Sequence, residues 1–161
     1  MKKFFYSFIF ICFSSISYSE NYKFTKIISL NEPWGSSFIN KNELIITEKS
    51  GKIKIVNINS KKISEVNHNL NYLSVGQGGL LDILYKDNFI WISYSEDRGD
   101  WKTSTSIAKA KLDKNELNFK NIFQAQPPID SGYHFGSRLA IKDNYLFASA
   151  GERGQGMIAQ D

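Results

Sequence analysis

The sequence predicts an all-β fold of the β-propeller type, and three observations support this prediction. Three segments resemble one another, each contains a hairpin-forming turn, and no segment shows a sustained helical period. Units of four short strands that recur at roughly 40 to 55 residues are typical of propeller blades. An antiparallel sandwich with similar hairpins is the alternative, but a sandwich gives no reason for the loops before its strands to repeat.

The internal repeat consists of "PWGSSFINKNELIITEKSG" from Pro33, "GQGGLLDILYKDNFIWISYSED" from Gly76 and "YHFGSRLAIKDNYLFASAGER" from Tyr133. Each copy has a glycine-bearing lead-in loop, an apolar strand, a short turn and a second apolar strand. The turns end at Asn42, Asn88 and Asn144, at the spacing of propeller blades. Asparagine tolerates the positive φ that tight hairpins require, so each turn predicts a β-hairpin.

Further strands are predicted between the repeats. The segments "KIKIVNI", "STSIAKAKL" and "ELNFKNIFQA" are short and apolar or alternating, as outer blade strands are. The polar segment "SEVNHNLN" has no apolar or glycine framing, so we expect His68 within it to be exposed.

The chain opens with the pattern of a secretory signal peptide. Two lysines precede an apolar run over residues 4–13, and Ser17 and Ser19 stand where an A-x-A-like cleavage site would lie. The run is shorter than the ~20 residues that span a bilayer, so no membrane anchor is expected after cleavage. We therefore predict a signal peptide over 1–19 and the N-terminal, incomplete part of a propeller domain over 20–161.

The cysteine content and the charge balance of the chain indicate its cellular location and the partners it does not bind. Cys12 lies within the apolar run, without the small residues of a lipoprotein signal before it, so the mature chain has no cysteine. An exported protein held by packing alone suits a periplasmic or secreted location. Without Lys2 and Lys3, 18 basic residues face 16 acidic ones, a balance that indicates no nucleic-acid or membrane partner.

The repeat brings candidate site residues to one place. The first strand of every blade lines the central channel, so equivalent lead-in positions converge at one mouth. Trp34, Gln77 and the pair 134–135 (His-Phe) should therefore present an aromatic ring, an amide and an imidazole to a shared cavity.

Each candidate has a structural alternative. Trp34 could be a core aromatic, Gln77 could hydrogen-bond its own loop, and His134 could be a structural histidine. Arg138 lies in an inner strand, where a buried arginine needs a partner, so it would pair with an acidic neighbour or hold an anionic ligand.

The motifs together resemble one family. "PWGSSF", "TEKSGKI", "GQGGLLD", "HFGSRL", "GERG" and "AQD" occur in the order found in soluble pyrroloquinoline quinone (PQQ) dependent aldose sugar dehydrogenases, of the glucose/sorbosone dehydrogenase family. The resemblance runs from about Leu30 to Asp161. It implies a propeller of the six-bladed quinoprotein glucose dehydrogenase type, of which this chain supplies about two to three blades. We therefore expect an N-terminal fragment that is inactive alone.

The resemblance also implies a chemistry. The histidine of "HFGSRL" in the family is the general base for the anomeric hydroxyl of the sugar, so His134 is the catalytic candidate, and Gln77 is a pocket contact. With these we assign Trp34 and Arg138 to cofactor or substrate binding. Hydride passes from sugar C1 to PQQ, and electrons leave to an unidentified acceptor. No metal ligand is assigned, because the chain has no acidic cluster; calcium ligands are expected in the part of the family fold beyond these residues.

One departure and two alternatives remain open. Tyr133 stands where the glucose-oxidising branch has an aspartate that orients the histidine, so the sugar is not determined. A non-catalytic binding propeller and a propeller lactonase are the other readings. His134 and Gln77 favour the dehydrogenase, since a lactonase needs acidic calcium ligands at these positions.

Overall fold

The computed structural model of the chain describes residues 22–160. The predicted signal peptide, 1–19, lies outside the described residues. Within them, the strands are β1 (Pro33–Asn40), β2 (Glu43–Glu48), β3 (Lys52–Asn57), β4 (Ile63–His68), β5 (Leu80–Lys86), β6 (Phe89–Asp97), β7 (Thr103–Lys111), β8 (Glu116–Leu117), β9 (Lys120–Gln124), β10 (Gly136–Lys142) and β11 (Tyr145–Ala150). A 3₁₀ helix, Gly156–Gln160, follows β11.

The strands form three sheets that correspond to successive propeller blades. The first blade has the order β1-β2-β3-β4, with β8 added in parallel beside β4. The second blade has the order β5-β6-β7-β9, and the third sheet is the hairpin β10-β11. The three repeats therefore supply the first two strands of each sheet, and the all-β prediction is confirmed.

The hairpin turns agree only in part with the expected backbone. Asp87 and Asn88 have φ of 51° and 65°, the pair of left-handed residues found in a type I′ turn. In the third hairpin the left-handed residue is Asp143, with φ of 54°, and not Asn144. In the first hairpin Asn42 has no positive φ; its N–H donates to Oδ1 of Asn40 over 2.9 Å. All three predicted hairpins are present, but only Asn88 adopts the positive φ that asparagine tolerates.

The outer strands show two differences from the prediction. The segment "ELNFKNIFQA" divides into β8 and β9, which belong to different blades. The division has a physical cause, because Asn69 holds Phe119 between them: Phe119 N–H donates to Asn69 Oδ1 over 2.8 Å, and Asn69 Nδ2 donates to the Phe119 carbonyl over 3.1 Å. This places the Phe119 ring in the core.

His68 is also not the exposed residue expected from its surroundings in the sequence. It ends β4 and is half-buried, with Nδ1 accepting the N–H of Leu70 over 3.2 Å. Nε2 therefore carries the ring proton and donates to the carbonyl of Gly51 over 2.8 Å. The prediction of an exposed His68 is wrong.

The core joins the first and second blades. It is rich in β-branched side chains, which pack well on a pleated surface. Its members include Ile45, Ile53, Val66, Leu80, Ile83, Ile92 and Tyr94. Hydrophobic packing therefore sets these two blades side by side and positions the loop that leads into β5.

Hydroxyl groups tie neighbouring blades at the inner strands. Thr47 Oγ1 in β2 donates to the carbonyl of Leu81 in β5 over 2.6 Å. Ser93 Oγ in β6 donates to the carbonyl of Ser137 in β10 over 2.6 Å. The inner strands of successive blades are thus held in a fixed relation.

Among residues 22–160, none of the helical structure is long and apolar enough to cross a lipid bilayer.

Candidate functional site

The loops that lead into β5 and β10 meet at one edge of the molecule. The N–H of Gln77 donates to the carbonyl of Gly132 over 2.7 Å, and the N–H of His134 donates to Oε1 of Gln77 over 2.9 Å. The approach requires glycine at position 76, where φ is 58° and a Cβ would lie 2.5 Å from the Gly132 carbonyl oxygen. The structure thus brings together two of the residues that the repeat alignment places at one mouth.

Gln77 does not simply brace its own loop. Its side chain accepts from the backbone of His134, 57 residues away. The amide therefore helps to set the position of the imidazole.

The imidazole of His134 is held by a carboxylate. Its Nδ1 is in close hydrogen-bonded contact with Oε1 of Glu152, and the His134 side chain is 53% exposed. This hydrogen bond, more than any other contact, holds the pKa of the Glu152 carboxyl below its usual value. An ionised carboxylate only accepts, so Nδ1 carries the proton and a neutral ring keeps its lone pair on Nε2. No described residue is hydrogen-bonded to Nε2.

The backbone at His134 is unusual. Its φ is 48°, in the left-handed region that a non-glycine residue rarely adopts. The end of β11 packs against this turn, and the N–H of Gly151 donates to the carbonyl of Phe135 over 3.1 Å. A Cβ at Gly151 would clash with the His134 carbonyl, so only glycine permits this approach.

A buried arginine supports the same loop. Arg153 donates from Nε to the Tyr133 carbonyl over 3.0 Å and from Nη1 to the Thr103 carbonyl over 2.9 Å. Its Nη2 contacts the carbonyl of Ser131, and its guanidinium lies 3.8 Å from the centre of the Phe135 ring. Burial lowers the pKa of Arg153. Arg153 therefore cross-links the residues on both sides of His134.

Arg138 is not the buried arginine that its strand position suggested. Its side chain is 83% exposed, because the alternation of β10 buries Ser137 and Leu139 instead. Of the two partners expected for it, the acidic neighbour is present: Nε lies 3.7 Å from Oδ2 of Asp82. The 3.7 Å separation is longer than a hydrogen bond and the Arg138 side chain is exposed, so the pair is weak and the guanidinium is available to a ligand.

Trp34 is not part of the core. It lies in β1 and is 51% exposed, so the alternative of a core aromatic is wrong. Its ring remains a candidate for a pocket wall.

Sequence reasoning missed Glu152 and Arg153 as members of the site. The repeat alignment could have identified Glu152, because it occupies the position in the third copy that Glu96 occupies in the second. In the second blade Glu96 is buried and accepts hydrogen bonds from Ser106 and Gln124, whereas in the third sheet the equivalent carboxylate binds His134. The carboxylate beside the imidazole thus comes from the end of β11 and not from position 133.

No group of three or more His, Cys, Asp or Glu side chains in the described part of the chain is arranged to hold a metal ion.

Comparisons with known proteins identify the family of the chain. The family model described as "Glucose / Sorbosone dehydrogenase" matches residues 30–161. The chain is 31% identical over 142 residues to the aldose sugar dehydrogenase YliI of Escherichia coli, covering 82% of this chain and 38% of that protein. The crystal structure of the E. coli soluble aldose sugar dehydrogenase in its apo form superposes with a TM-score of 0.76 at 31% identity, over 82% of this chain and 41% of that one.

A more distant structure shares the fold. The PQQ-bound form of an aldose sugar dehydrogenase from Streptomyces coelicolor has a TM-score of 0.72 at 22% identity, over 83% of this chain and 42% of that chain. The chain thus spans about two fifths of the length of these relatives.

Proposed function

The chain belongs to the glucose/sorbosone dehydrogenase family, and from this premise we propose that it serves in the oxidation of aldose sugars at the C1 hydroxyl, with PQQ as the hydride acceptor. The observation that carries the proposal is the contact between His134 Nδ1 and Glu152, which leaves Nε2 as a proton acceptor at the meeting point of two lead-in loops. The names of the E. coli relatives support an aldose as the substrate class.

The residues of this chain have separate roles in removing the proton from the sugar. The Nε2 lone pair of His134 takes the proton of the sugar C1 hydroxyl as the C1 hydride leaves, and the Glu152 carboxylate stabilises the imidazolium that forms. Gln77 and Arg153 hold the backbone around His134 in place. These two are positioning residues.

Two exposed side chains of the inner strands suit the binding of PQQ, a flat quinone with three carboxylates. Trp34 offers an exposed ring for stacking, and Arg138 offers a guanidinium with one weak partner for a carboxylate. When bound, PQQ supplies a two-electron acceptor that amino-acid side chains lack. No group of three or more His, Cys, Asp or Glu side chains among residues 22–160 is arranged to hold calcium, and the calcium ligands expected elsewhere in the family fold stay a prediction.

The cellular location of the reaction is proposed from the sequence. The predicted signal peptide and the single cysteine within it favour a periplasmic or secreted protein. Sequencing the N-terminus of the protein recovered from the periplasm of a Gram-negative host should give Glu20 or a near neighbour. Uncleaved chain in the inner membrane would contradict this location.

The test of the function uses a chimera in which residues 30–161 replace the matched segment of the E. coli aldose sugar dehydrogenase. His134→Gln should lower dye reduction with aldoses by about 10²- to 10⁴-fold, the usual contribution of a positioned base. PQQ binding, measured by quenching of tryptophan fluorescence, should persist. Residues 20–161 alone, given PQQ and calcium, should show no comparable turnover.

Two variants complete this test. Glu152→Gln should lower the rate by less than His134→Gln, because the ring remains and loses only the group that orients it. Ser64→Ala, at an exposed position of β4, is the neutral control. His68 is unsuitable as a control because it is hydrogen-bonded on both ring nitrogens. Near-normal turnover of His134→Gln with PQQ bound would overturn the assignment of the base.

The alternatives lack a specific observation in their favour. A calcium-dependent lactonase needs acidic ligands at the blade entries, where this chain has Trp34, Gln77 and His134. A purely binding propeller gives no reason for a carboxylate to hold the imidazole of His134.

A further inference from the structure

The turn between β6 and β7 holds a tryptophan in a backbone conformation that this residue rarely adopts. The N–H of Lys102 donates to the carbonyl of Gly99 over 2.9 Å, which closes a β-turn with Asp100 and Trp101 at its centre. Both central residues are left-handed, with φ of 50° and 61°, as at the centre of a type I′ turn. Asparagine, aspartate and glycine suit these positions, whereas a bulky residue is an outlier there.

Packing does not compensate for the conformation of Trp101. Its side chain is 72% exposed, so burial of the ring contributes little to folding. The turn between β5 and β6 shows the ordinary solution, because Asp87 and Asn88 occupy the same two left-handed positions there. A residue that is held in an unfavourable conformation without a gain in packing points to a role in binding.

Further hydrogen bonds hold this turn in place. The N–H of Arg98 donates to the carbonyl of Lys102 over 2.9 Å, and the N–H of Gly99 donates to Oδ1 of Asp97 over 2.9 Å. From the loop that leads into β5, Nδ2 of Asn71 donates to the carbonyl of Asp97 over 3.1 Å. The N–H of Asp97 donates back to the carbonyl of Asn71 over 3.1 Å. The exposed ring is therefore carried by a well-anchored backbone.

The indole of Trp101 lines a cleft of about 360 Å³. The other lining residues are Leu73, Asp97, Gly99 and Asp100. This volume lies near the lower end of the range for ligand pockets. In the described part of the chain, no group is hydrogen-bonded to the carboxylate of Asp100. The cleft thus combines an exposed aromatic face with a free acceptor for hydroxyl protons.

The cleft lies on the same face of the molecule as His134. The turn after β6 is beside the start of β5, because Leu80 pairs with Tyr94 in the antiparallel hairpin. Leu73 stands four residues before Gln77 in the loop that leads into β5, so their Cα atoms are at most about 14 Å apart. Gln77 accepts the N–H of His134. One loop therefore joins the cleft to the candidate base.

We propose that this cleft binds a further sugar unit of an oligosaccharide whose reducing-end aldose reaches His134, a proposal that rests on the function proposed above. The apolar face of a sugar ring stacks on an indole such as that of Trp101. The hydroxyl groups at the rim of the sugar ring donate to carboxylates such as that of Asp100. The cleft would thus extend recognition beyond the sugar that is oxidised.

An organic cation is the competing ligand, because indole rings and carboxylates also attract ammonium groups. The segment 97–102 contains two acidic and two basic residues, so it has no net charge. Ammonium ligands are recognised by cages of several aromatic rings. Trp101 is the only aromatic residue among the described residues that line this cleft. A neutral saccharide therefore fits the cleft better than a cation does.

The test measures binding by the chain itself and needs no turnover. The indole N–H signals of residues 20–161 are followed by NMR while maltotriose or cellotriose is added, and the Trp101 signal should shift saturably. The affinity of each variant is then measured by ligand-observed NMR. Trp101→Gly should weaken trisaccharide binding about tenfold or more. The same variant should unfold at an equal or higher temperature, because glycine adopts the left-handed conformation without strain.

Control variants separate the aromatic face from other effects. Trp101→Phe keeps a ring and should retain more of the affinity than Trp101→Gly. Asp100→Asn should weaken trisaccharide binding, by less than Trp101→Gly does. Phe24→Ala removes an aromatic side chain that is 95% exposed outside the cleft, and it should bind as the unsubstituted chain does.

Three results would overturn the proposal. These are a Trp101 signal that neither trisaccharide shifts, equal trisaccharide binding by Trp101→Gly and the unsubstituted chain, and saturable binding of tetramethylammonium in place of the trisaccharides. A lower unfolding temperature of Trp101→Gly without a loss of affinity would show that the residue has a structural role instead.

The chimera described above separates this proposal from the proposed function. In it, Trp101→Gly should raise the KM for maltotriose about tenfold more than the KM for glucose. An equal change for both substrates would overturn the additional sugar site. If His134→Gln left turnover intact, the proposed function would fail, and the NMR titration would still decide whether the cleft binds a saccharide.

Discussion

The backbone N–H of His134 donates a hydrogen bond of 2.9 Å to Oε1 of Gln77, across the boundary between the second and third blades. Gln77 in turn donates its own N–H to Gly132 over 2.7 Å. The two loops therefore hold each other, and the candidate base owes its position to a residue of the preceding blade.

The first prediction concerns this link. Gln77→Ala removes the acceptor of the His134 N–H, so we expect faster hydrogen exchange at that amide and a loss of about 0.5 to 1.5 kcal/mol in the free energy of unfolding. Gln77→Glu keeps an oxygen acceptor and is the matched control. Hydrogen exchange read by mass spectrometry on peptides spanning 131–136 checks the result, and unchanged exchange in Gln77→Ala would contradict it.

The second prediction is a pH dependence. The His134 hydrogen bond lowers the pKa of the folded-state Glu152 carboxyl below the ordinary value of 4.5. A depressed carboxyl pKa stabilises the folded state above about pH 4.5, and this contribution is lost as the pH falls through the lower folded-state value. Glu152→Gln should therefore flatten the acid limb of the stability curve. Urea denaturation between about pH 6 and pH 3 measures it.

The matched control for the acid limb is Glu116→Gln, at an exposed carboxyl in β8. This variant should keep the slope of the unsubstituted chain. A Glu152→Gln variant whose unfolding free energy follows the unsubstituted chain at every pH would show that the carboxylate does not stabilise the loop.

The third prediction contrasts two arginines. Arg153→Leu removes hydrogen bonds to the carbonyls of Thr103, Ser131 and Tyr133, of which those of Thr103 and Ser131 keep another donor. We therefore expect a loss of about 3 kcal/mol in the free energy of unfolding. Arg153→Lys keeps a charge without the planar fork and should recover only part of this loss. Arg138→Leu, at the exposed arginine, should stay within about 0.5 kcal/mol. Equal effects at the two positions, measured by urea denaturation, would refute this account of the loop.

The fourth prediction concerns the hydrogen bonds of Thr47 between the first two blades. Thr47→Val keeps the volume and removes a buried hydroxyl that serves Gly35 and Leu81, which should lower the free energy of unfolding by about 1 to 3 kcal/mol. Thr47→Ser keeps the hydroxyl, as Ser93 does in the second blade, and should lose less. Thermal melting of the two variants, measured side by side, checks this prediction. A Val variant as stable as the Ser variant would show that the Thr47 hydroxyl does not stabilise the contact between the blades.

Much of the fold could be predicted from local sequence. Hairpin turns and apolar alternation are properties of neighbouring residues, so β1, β2, β5, β6, β10 and β11 follow from the three repeats. The spacing of the repeats also predicts that Gln77 and His134 lie at equivalent places, because a propeller superposes its blades. The division of "ELNFKNIFQA" could not be predicted, since it depends on a hydrogen bond between Asn69 and Phe119, 50 residues apart.

By itself the sequence determined the blades and two members of the candidate site. The tertiary structure alone decided that Glu152 holds the imidazole and that Arg153 and not Arg138 is the buried arginine. The physical reason is the range of the interactions. Strand periodicity comes from adjacent side chains, whereas a polar side chain takes its partner from whichever element packs beside it, and that element is known only once the sheets are assembled.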